Sequence, residues 1–422
     1  MKISSVKLII LFAIVAVLFT SQASAVDFIF KDTQYSFQML RAIAATASGG
    51  ADVGECLATA YKIKEGDDEG WLAAWNEIAQ LREKTGDEFL AKGRKISSRQ
   101  EYLRASNYYR SAEFFLHKNP SDPRILELSR KSRACFLKFA KLAPHPIIPV
   151  EIPYEGVTLP GYLCLVDKSG KKRPLLIIQT GFDGTGEELY ANAKFAVERG
   201  YNCLIFEGPG QGRVIREQKI PFRYDWEKVV TPVVDFAVKR KEVDKKRIAL
   251  MGISFGGYLA PRAVAFEHRI KACIANGGIY DFHAQMMQNI EEKDLDNKES
   301  AVEIDKYVYQ MMEKSPSMRW AIGNALFTFQ AKTPSDWFRI TRPYTMKDVV
   351  SRIKCRMLIV DSSEDKDLPG QSRKLYDALS APKDYLLFTK DDAAEEHCQI
   401  GATFISSARI LDWLDDVMKK KK

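Results

Sequence analysis

Along the first third of the chain, apolar side chains return every three or four positions. Trp71, Trp75 and Ile78 fall on one face, and Tyr102, Ala105, Tyr109, Ala112 and Leu116 on another. This is the spacing near 3.6 that a helix imposes, and such stripes read as core. From Asp27 to Leu142 the pattern predicts four or five helices and no strand. Asn119-Pro120-Ser121-Asp122-Pro123 interrupts the series, with Ser121 or Asp122 placed to cap a helix that Pro123 opens.

The period changes at Pro144-His145-Pro146. Ile147–Pro153 and Val157–Val166, joined by a Glu155-Gly156 turn, read as an antiparallel hairpin. Short apolar runs follow at Leu175–Gln179, Asn202–Phe206, Arg247–Met251, Ala272–Ala275, Arg356–Val360 and Tyr385–Phe388, separated by helical stretches. Most are apolar at every position, as strands covered by helices on both faces must be. Alternation of this kind predicts an α/β fold with a mostly parallel, doubly wound sheet. An insertion at about 280–350, rich in Met, Phe, Tyr and Trp, carries no obvious strand. Connections of that length are uncommon inside a domain unless they serve a function. It is expected to form a helical lid that roofs a site together with the N-terminal helices, an ordinary packed helical excursion being the alternative.

The extreme N-terminus departs from both patterns. Lys2 and Lys7 precede and flank an apolar run, Leu8–Thr20, and Ala23-Ser24-Ala25 follows. This is the form of a secretory signal peptide cut after Ala25, which predicts a secreted or periplasmic protein with no stable membrane span after cleavage. An uncleaved anchor is the alternative. The organisation is therefore read as a leader at 1–25, a helical cap at 26–143 and a catalytic domain at 144–422.

Composition narrows the function classes. Hydrophobic residues at 46% and charged residues at 28% exclude wholesale disorder and a multi-span membrane protein. The net charge of +8 falls to +6 without Lys2 and Lys7, and Lys419–Lys422 supply four of the remaining positive charges. The excess is largely a tail with no interleaved aromatics, so no nucleic-acid partner is expected. Seven cysteines, at 56, 135, 164, 203, 273, 355 and 398, form no Cys-x-x-Cys pair, which points away from a zinc site and a dense disulfide framework; one disulfide stays open.

The candidate chemistry centres on Gly252-Ile253-Ser254-Phe255-Gly256-Gly257. A strand-like run precedes it and a helix pattern follows at once, the strand-turn-helix setting of a nucleophile elbow. A serine hydroxyl needs a base, and the base needs a carboxylate to orient it. In this topology they follow in the order Ser, acid, His. Of five histidines, His397 alone follows the last predicted strand. His117, His145 and His268 flank helices and are expected at the surface, and His283 opens the lid, where it could touch substrate. The acid belongs in the loop Asp361-Ser362-Ser363-Glu364-Asp365-Lys366-Asp367, where Asp365 is preferred and Asp361 competes. The oxyanion of a tetrahedral intermediate needs two fixed N–H donors, for which Phe255 and Phe182, in Thr180-Gly181-Phe182-Asp183-Gly184, are the candidates. Glu207-Gly208-Pro209-Gly210-Gln211-Gly212 lacks the Lys-Ser/Thr ending of a phosphate loop and reads as a rigid turn beside the site.

Four segments together resemble one family. Ala105–Leu116, Phe206–Gly212, Asp225–Asp235 and Glu396-His397-Cys398-Gln399 are similar to α/β-hydrolases that include the fermentation-respiration switch esterase, dihydroxypseudooxynicotine hydrolase and fungal polyketide-shortening hydrolases. The resemblance implies an α/β-hydrolase fold, a triad of Ser254, Asp365 and His397, and a helical cap over the active site. It also implies cleavage of an ester or of a carbon–carbon bond next to a ketone, without cofactor or metal. Relatives often carry His-Gly-x-x-Asp where this chain has Asp361-Ser362-Ser363-Glu364-Asp365. A small, partly apolar substrate is the expected partner, and a homodimer stays open. The competing functions are a serine exopeptidase of prolyl-oligopeptidase type and a non-catalytic binding protein on a hydrolase fold.

Overall fold

The computed structural model describes residues 29–418, so the expected leader at 1–25 and the basic tail at 419–422 lie outside the described residues. Five helices come first: α1 (Thr33–Ala44), α2 (Val53–Ala60), α3 (Asp68–Ala91), α4 (Lys95–Glu113) and α5 (Pro123–Leu142). Pro123 opens α5 and the Asp122 carboxylate accepts the Arg124 N–H, the capping role left open between Ser121 and Asp122. Trp71, Trp75, Tyr102, Ala105, Tyr109, Ala112 and Leu116 are all buried.

An eight-stranded sheet follows: β1 (Ile147–Tyr154), β2 (Val157–Cys164), β3 (Arg173–Gln179), β4 (Asn202–Phe206), β5 (Val243–Ile253), β6 (Ala272–Asn276), β7 (Arg356–Ser362) and β8 (Lys383–Phe388). Their order in space is β1-β2-β4-β3-β5-β6-β7-β8. β1 and β2 form the antiparallel hairpin, turned by Glu155 and Gly156 at φ 40° and 82°, the left-handed pair that a two-residue hairpin turn requires. β2 meets β4 antiparallel, and every later pairing is parallel. β5 begins four residues before the apolar run, because Val243 pairs with Arg173 ahead of a register shift between Arg173 and Leu175. The polar stretch Asp244–Lys246 hid that part of the strand.

Alternation along the strands divides the core in two. Leu175, Ile177, Leu204, Ile248, Leu250, Cys273 and Ile359 enter one hydrophobic cluster, with α7 (Glu227–Val238), α8 (Gly256–Val264) and the insertion. Leu176, Ile178, Ile205, Ala249, Met251, Ile274 and Leu358 enter the other, with α6 (Tyr190–Glu198), the end of α5 and α15 (Thr403–Met418). This is why most of the parallel strands carry apolar runs. α14 (Gln371–Ala378) completes the α/β series. All seven cysteines are free, five of them buried.

The insertion folds into α9 (Phe282–Met286), α10 (Glu292–Asp296), α11 (Lys298–Lys314), α12 (Pro316–Phe329) and α13 (Pro334–Ile340), with only the Asp281–Thr345 bridge as β structure. It packs on the N-terminal helices as well as on the sheet. Trp320 of α12 stacks on Phe114 with ring centroids 4.6 Å apart, and Phe327 joins the aromatic cluster that contains Trp71, Trp75 and Phe115. Among the described residues no helix is long and apolar enough to cross a membrane.

Trp71 is fully buried, its indole N–H donates to the Ser111 carbonyl at 2.7 Å, and its ring meets Tyr35 and Phe115 edge-on. Trp71→Ala is expected to lower unfolding free energy by about 3–5 kcal/mol in urea titrations. A loss below 1 kcal/mol would show that this cluster does not hold the roof together.

Candidate active site

β5 runs directly into α8, and the residue at the crossing is Ser254, with φ at 60°. A non-glycine residue held there stores roughly 1–3 kcal/mol of strain. Its neighbours must be small for the crossing to close. A Cβ on Gly252 would lie 2.0 Å from the Gly256 carbonyl oxygen, and one on Gly256 would lie 2.8 Å from the Thr180 oxygen. The Ser254 N–H is taken by the Asn276 carbonyl at 2.8 Å, which ties the crossing to the end of β6.

His397 arrives in a single helical turn between β8 and α15. Its Nε2 is 2.9 Å from Ser254 Oγ and its Nδ1 is 2.7 Å from Asp365 Oδ2. The other Asp365 oxygen accepts the N–H groups of Asp367 and Leu368 at 3.0 and 3.1 Å, so the carboxylate is held on both sides. Asp361 does not reach the histidine. It accepts the Tyr385 hydroxyl from β8 and its neighbour's N–H from Ser362. Of the two carboxylates in competition, the structure brings Asp365 to His397. Asp367 stands 4.0 Å from Nδ1 with its side chain 65% exposed, a solvent-side neighbour.

Burial acts on both partners of the pair and is overcome in both. It would raise Asp365, but the charge and hydrogen bond of His397, with two backbone N–H donors, hold the carboxyl below its usual value of 3.8. Burial would likewise lower His397, yet the Asp365 carboxylate and then Cys398 hold it well above 6.5. Asp365, Asp367 and His397 place possible ligand atoms within 4.8 Å of one another. A cation there would take a His397 nitrogen away from Ser254 or Asp365, since both are engaged.

The loop after β3 lies against Ser254. A Cβ at Gly181 would sit 2.6 Å from the Phe255 nitrogen and 3.0 Å from Ser254 Cβ, and the neighbouring Phe182 ring lies 6.4 Å from that of Phe255. Next to it, Asp183 accepts from Arg41 of α1 at 2.5 Å, and Arg41 also holds Glu188 at 2.7 Å. The Phe37 ring, one turn before Arg41, lies 6.4 Å from the His397 ring. The N-terminal helices were expected to roof the site, but Phe37 and Arg41 were not singled out, because α1 carries no motif that marks it as part of a site.

A cavity of about 2640 Å³ opens over Ser254, walled by Phe37, Leu40 and Arg41 of α1, by Phe182, and by Met286, Ile304, Met318, Trp320 and Trp337 of the insertion. Ligand pockets commonly span about 300–1,000 Å³, so the space exceeds what a short ester fills. His283 takes no part in this wall. It is tied to Thr341 and Glu292 within the insertion. His117, expected at the surface, is 2% exposed, enclosed by Glu113, Arg216 and Asn324. Its burial depends on α12, more than 200 residues further along the chain.

The sequence matches the prolyl oligopeptidase family (Peptidase_S9) over residues 188–421, more than half of the chain and all of the segment from α6 onward. The chain belongs to this family. Within the Peptidase_S9 family its resemblance to hydrolases extends well beyond the matched segment. It is 33% identical over 417 residues to hydrolase acrC of Aspergillus aculeatus, covering 92% of this chain and 97% of that one. It is 32% identical over 414 residues to 20-hydroxy-prefusarin hydrolase FUS2 of Gibberella moniliformis, covering 93% and 99%. The crystal structure of 2,6-dihydroxy-pseudo-oxynicotine hydrolase superposes with a TM-score of 0.71 at 21% identity, over 89% of this chain and 95% of that one, a likeness of fold. The protein is thus an enzyme, a hydrolase on the α/β-hydrolase fold, related to the fungal hydrolases that its sequence resembled.

The direction of the histidine shift fixes a pH dependence. With the folded value raised above 6.5, the His397–Asp365 pair stabilises the fold fully below that pH and ceases to do so as pH rises through the raised value. A base that takes a serine proton must be neutral, so with His397 in that role kcat/KM is expected to climb with pH along a limb whose midpoint lies above 6.5. In Asp365→Asn the midpoint should drop and the rate should fall by about 10⁴-fold. A limb that stays in place in Asp365→Asn contradicts the assignment of the shift to Asp365.

Proposed function

We propose that this enzyme cleaves an ester, or a carbon–carbon bond next to a ketone, in a small, partly apolar substrate by way of an acyl-enzyme on Ser254. The observation that carries the proposal is the continuous chain Ser254 Oγ, His397 Nε2, His397 Nδ1, Asp365 Oδ2, with links of 2.9 and 2.7 Å. His397 takes the serine proton as Oγ attacks the carbonyl carbon. Asp365 holds the imidazole with its hydrogen on Nδ1 and stabilises the imidazolium that forms. The N–H groups of Phe182 and Phe255 receive the oxyanion. As the intermediate collapses, His397 returns the proton to the leaving group, an alkoxide oxygen in ester cleavage or the carbon of an enolate in ketone cleavage. Water, deprotonated by the same His397, then releases the acid.

The apolar and aromatic wall supplied by α9 and α11–α13 supports a substrate with substantial hydrocarbon surface. The family to which the chain belongs gives one observation in favour of a second reading, an exopeptidase. Against it, the described residues before β1 are helical, without the β-propeller that prolyl oligopeptidases carry over this fold. Parallel assays with aminoacyl p-nitroanilides and with p-nitrophenyl esters and β-diketones separate the readings by which set is turned over.

Ser254→Ala is expected to lower kcat for short p-nitrophenyl esters by roughly 10⁴–10⁶-fold with circular dichroism and melting unchanged. Hydrolysis at the wild-type rate by a folded Ser254→Ala protein would sink the mechanism.

A further inference from the structure

An oxyanion hole works only if its donors are aimed before the charge forms, and the loop that carries Phe182 belongs to no helix or strand. Two side-chain amides do the aiming that secondary structure does not. Gln211 Nε2 donates to the Thr180 carbonyl at 2.8 Å and to the Gly181 carbonyl at 3.3 Å. Asn324 Nδ2 donates to the Phe182 carbonyl at 3.1 Å. Three consecutive carbonyls are therefore held from two sides, by the turn after β4 and by α12 of the insertion.

Each amide is itself fixed. Gln211 is 1% exposed and its Oε1 accepts the Gly208 N–H at 3.0 Å, across the tight Gly-Pro-Gly turn. Asn324 is 0% exposed; with its NH2 group committed to Phe182, the oxygen is left to face His117 Nδ1 at 2.8 Å and accept its hydrogen. His117 rests in turn on Glu113, which also accepts from Arg216 at 2.7 Å. A Cβ at Gly323 would lie 2.7 Å from Lys118 Cα, so the backbone of α12 is seated directly on the segment that carries His117.

In a trans peptide the C=O and N–H of one plane point in opposite directions. Anchoring the Gly181 oxygen on Gln211 thereby turns the Phe182 N–H away from the Glu207–Gly212 turn. We propose that Gln211 and Asn324 are positioning residues for the oxyanion hole, orienting the Phe182 N–H toward the oxygen of the tetrahedral intermediate. The inference rests on the acyl-transfer function proposed above and adds residues that the triad does not include. It also gives the Glu207–Gly212 turn and the buried His117 a task.

The test compares Gln211→Met, which keeps side-chain length without the donor, and Asn324→Asp, which keeps shape and puts an oxygen where the NH2 group was. Kinetics with a p-nitrophenyl ester are expressed per titrated active site. We expect kcat to fall about 10- to 100-fold, less than the 10²–10³ of losing a donor outright, with KM within about twofold. The affinity of an arylboronic acid, which forms a tetrahedral adduct on the serine, should fall by the same factor, while that of the carboxylate product stays constant. A merely structural role would lower the melting temperature or the number of titratable sites and leave per-site kcat and boronate affinity alone. Those unchanged values, in either variant that folds, overturn the proposal. Independently of variants, a crystal structure of the wild-type boronate adduct should place the Phe182 nitrogen within hydrogen-bond distance of a boronate oxygen with Gln211 still on Gly181; a Phe182 N–H directed elsewhere also overturns it. A wild type that neither hydrolyses the ester nor binds the boronate would instead refute the underlying acyl-transfer function.

Discussion

The left-handed backbone of Ser254 is the constraint to which the surrounding structure answers. A strand must stop, reverse the sense of its backbone for one residue and begin a helix, and this is possible only where no side chain stands in the way. The bareness of Gly252 and Gly256 lets β5 and α8 cross, and that of Gly181 lets the loop after β3 come alongside. Gly257 serves the same crossing from below, since a Cβ there would lie 2.0 Å from the Gly277 oxygen. The strain is sustained by β6, whose Asn276 carbonyl holds the Ser254 N–H. The hydroxyl is thereby lifted clear of the sheet to where His397 reaches it.

Around that point three layers contribute polar side chains that are satisfied within the protein. The sheet provides Ser254 and, through the loops after β7 and β8, Asp365 and His397. The N-terminal helices add Arg41, which clamps Asp183 and Glu188. Burial would raise Glu188, but the charges of Arg41 and Arg110, with hydrogen bonds from Arg41 and the Thr185 N–H, bring it down to about 2, firmly ionised. The insertion adds Asn324. Breaking one member of such a network strands a buried partner, which costs more than the bond itself contributes. The roof is therefore joined to the loop after β3 by hydrogen bonds, and its two parts to each other by the aromatic stack of Trp320 on Phe114.

Much of the fold was legible because burial on both faces of a parallel sheet leaves a local mark. The six strands from β3 onward show as short apolar runs and β1–β2 as a hairpin, and the elbow shows as glycines at fixed offsets between a strand and a helix. The misses have a common cause in contacts between distant segments. The first residues of β5 are polar and join the sheet only through pairing with Arg173. His117 sits beside a helix break, as exposed histidines often do, and is buried by Asn324, 207 positions away. The loop 361–367 favoured Asp365 but left Asp361 in competition; Tyr385 of the next strand removes it by engaging Asp361. The Glu207–Gly212 turn was recognisable as rigid, but its grip on Thr180 and Gly181 follows only from the neighbouring positions of β3 and β4 in the sheet.

The central claim is that Ser254 is an activated nucleophile. Peptide mapping after brief exposure of the wild-type protein to a fluorophosphonate tests it directly, since an unactivated serine reacts too slowly to be labelled. The account predicts one phosphonyl adduct, on Ser254 within the tryptic peptide Ile248–Arg262, and its loss when the label is applied at a pH where His397 is fully protonated. A protein that remains unlabelled, or that carries its adduct on another residue, would contradict it.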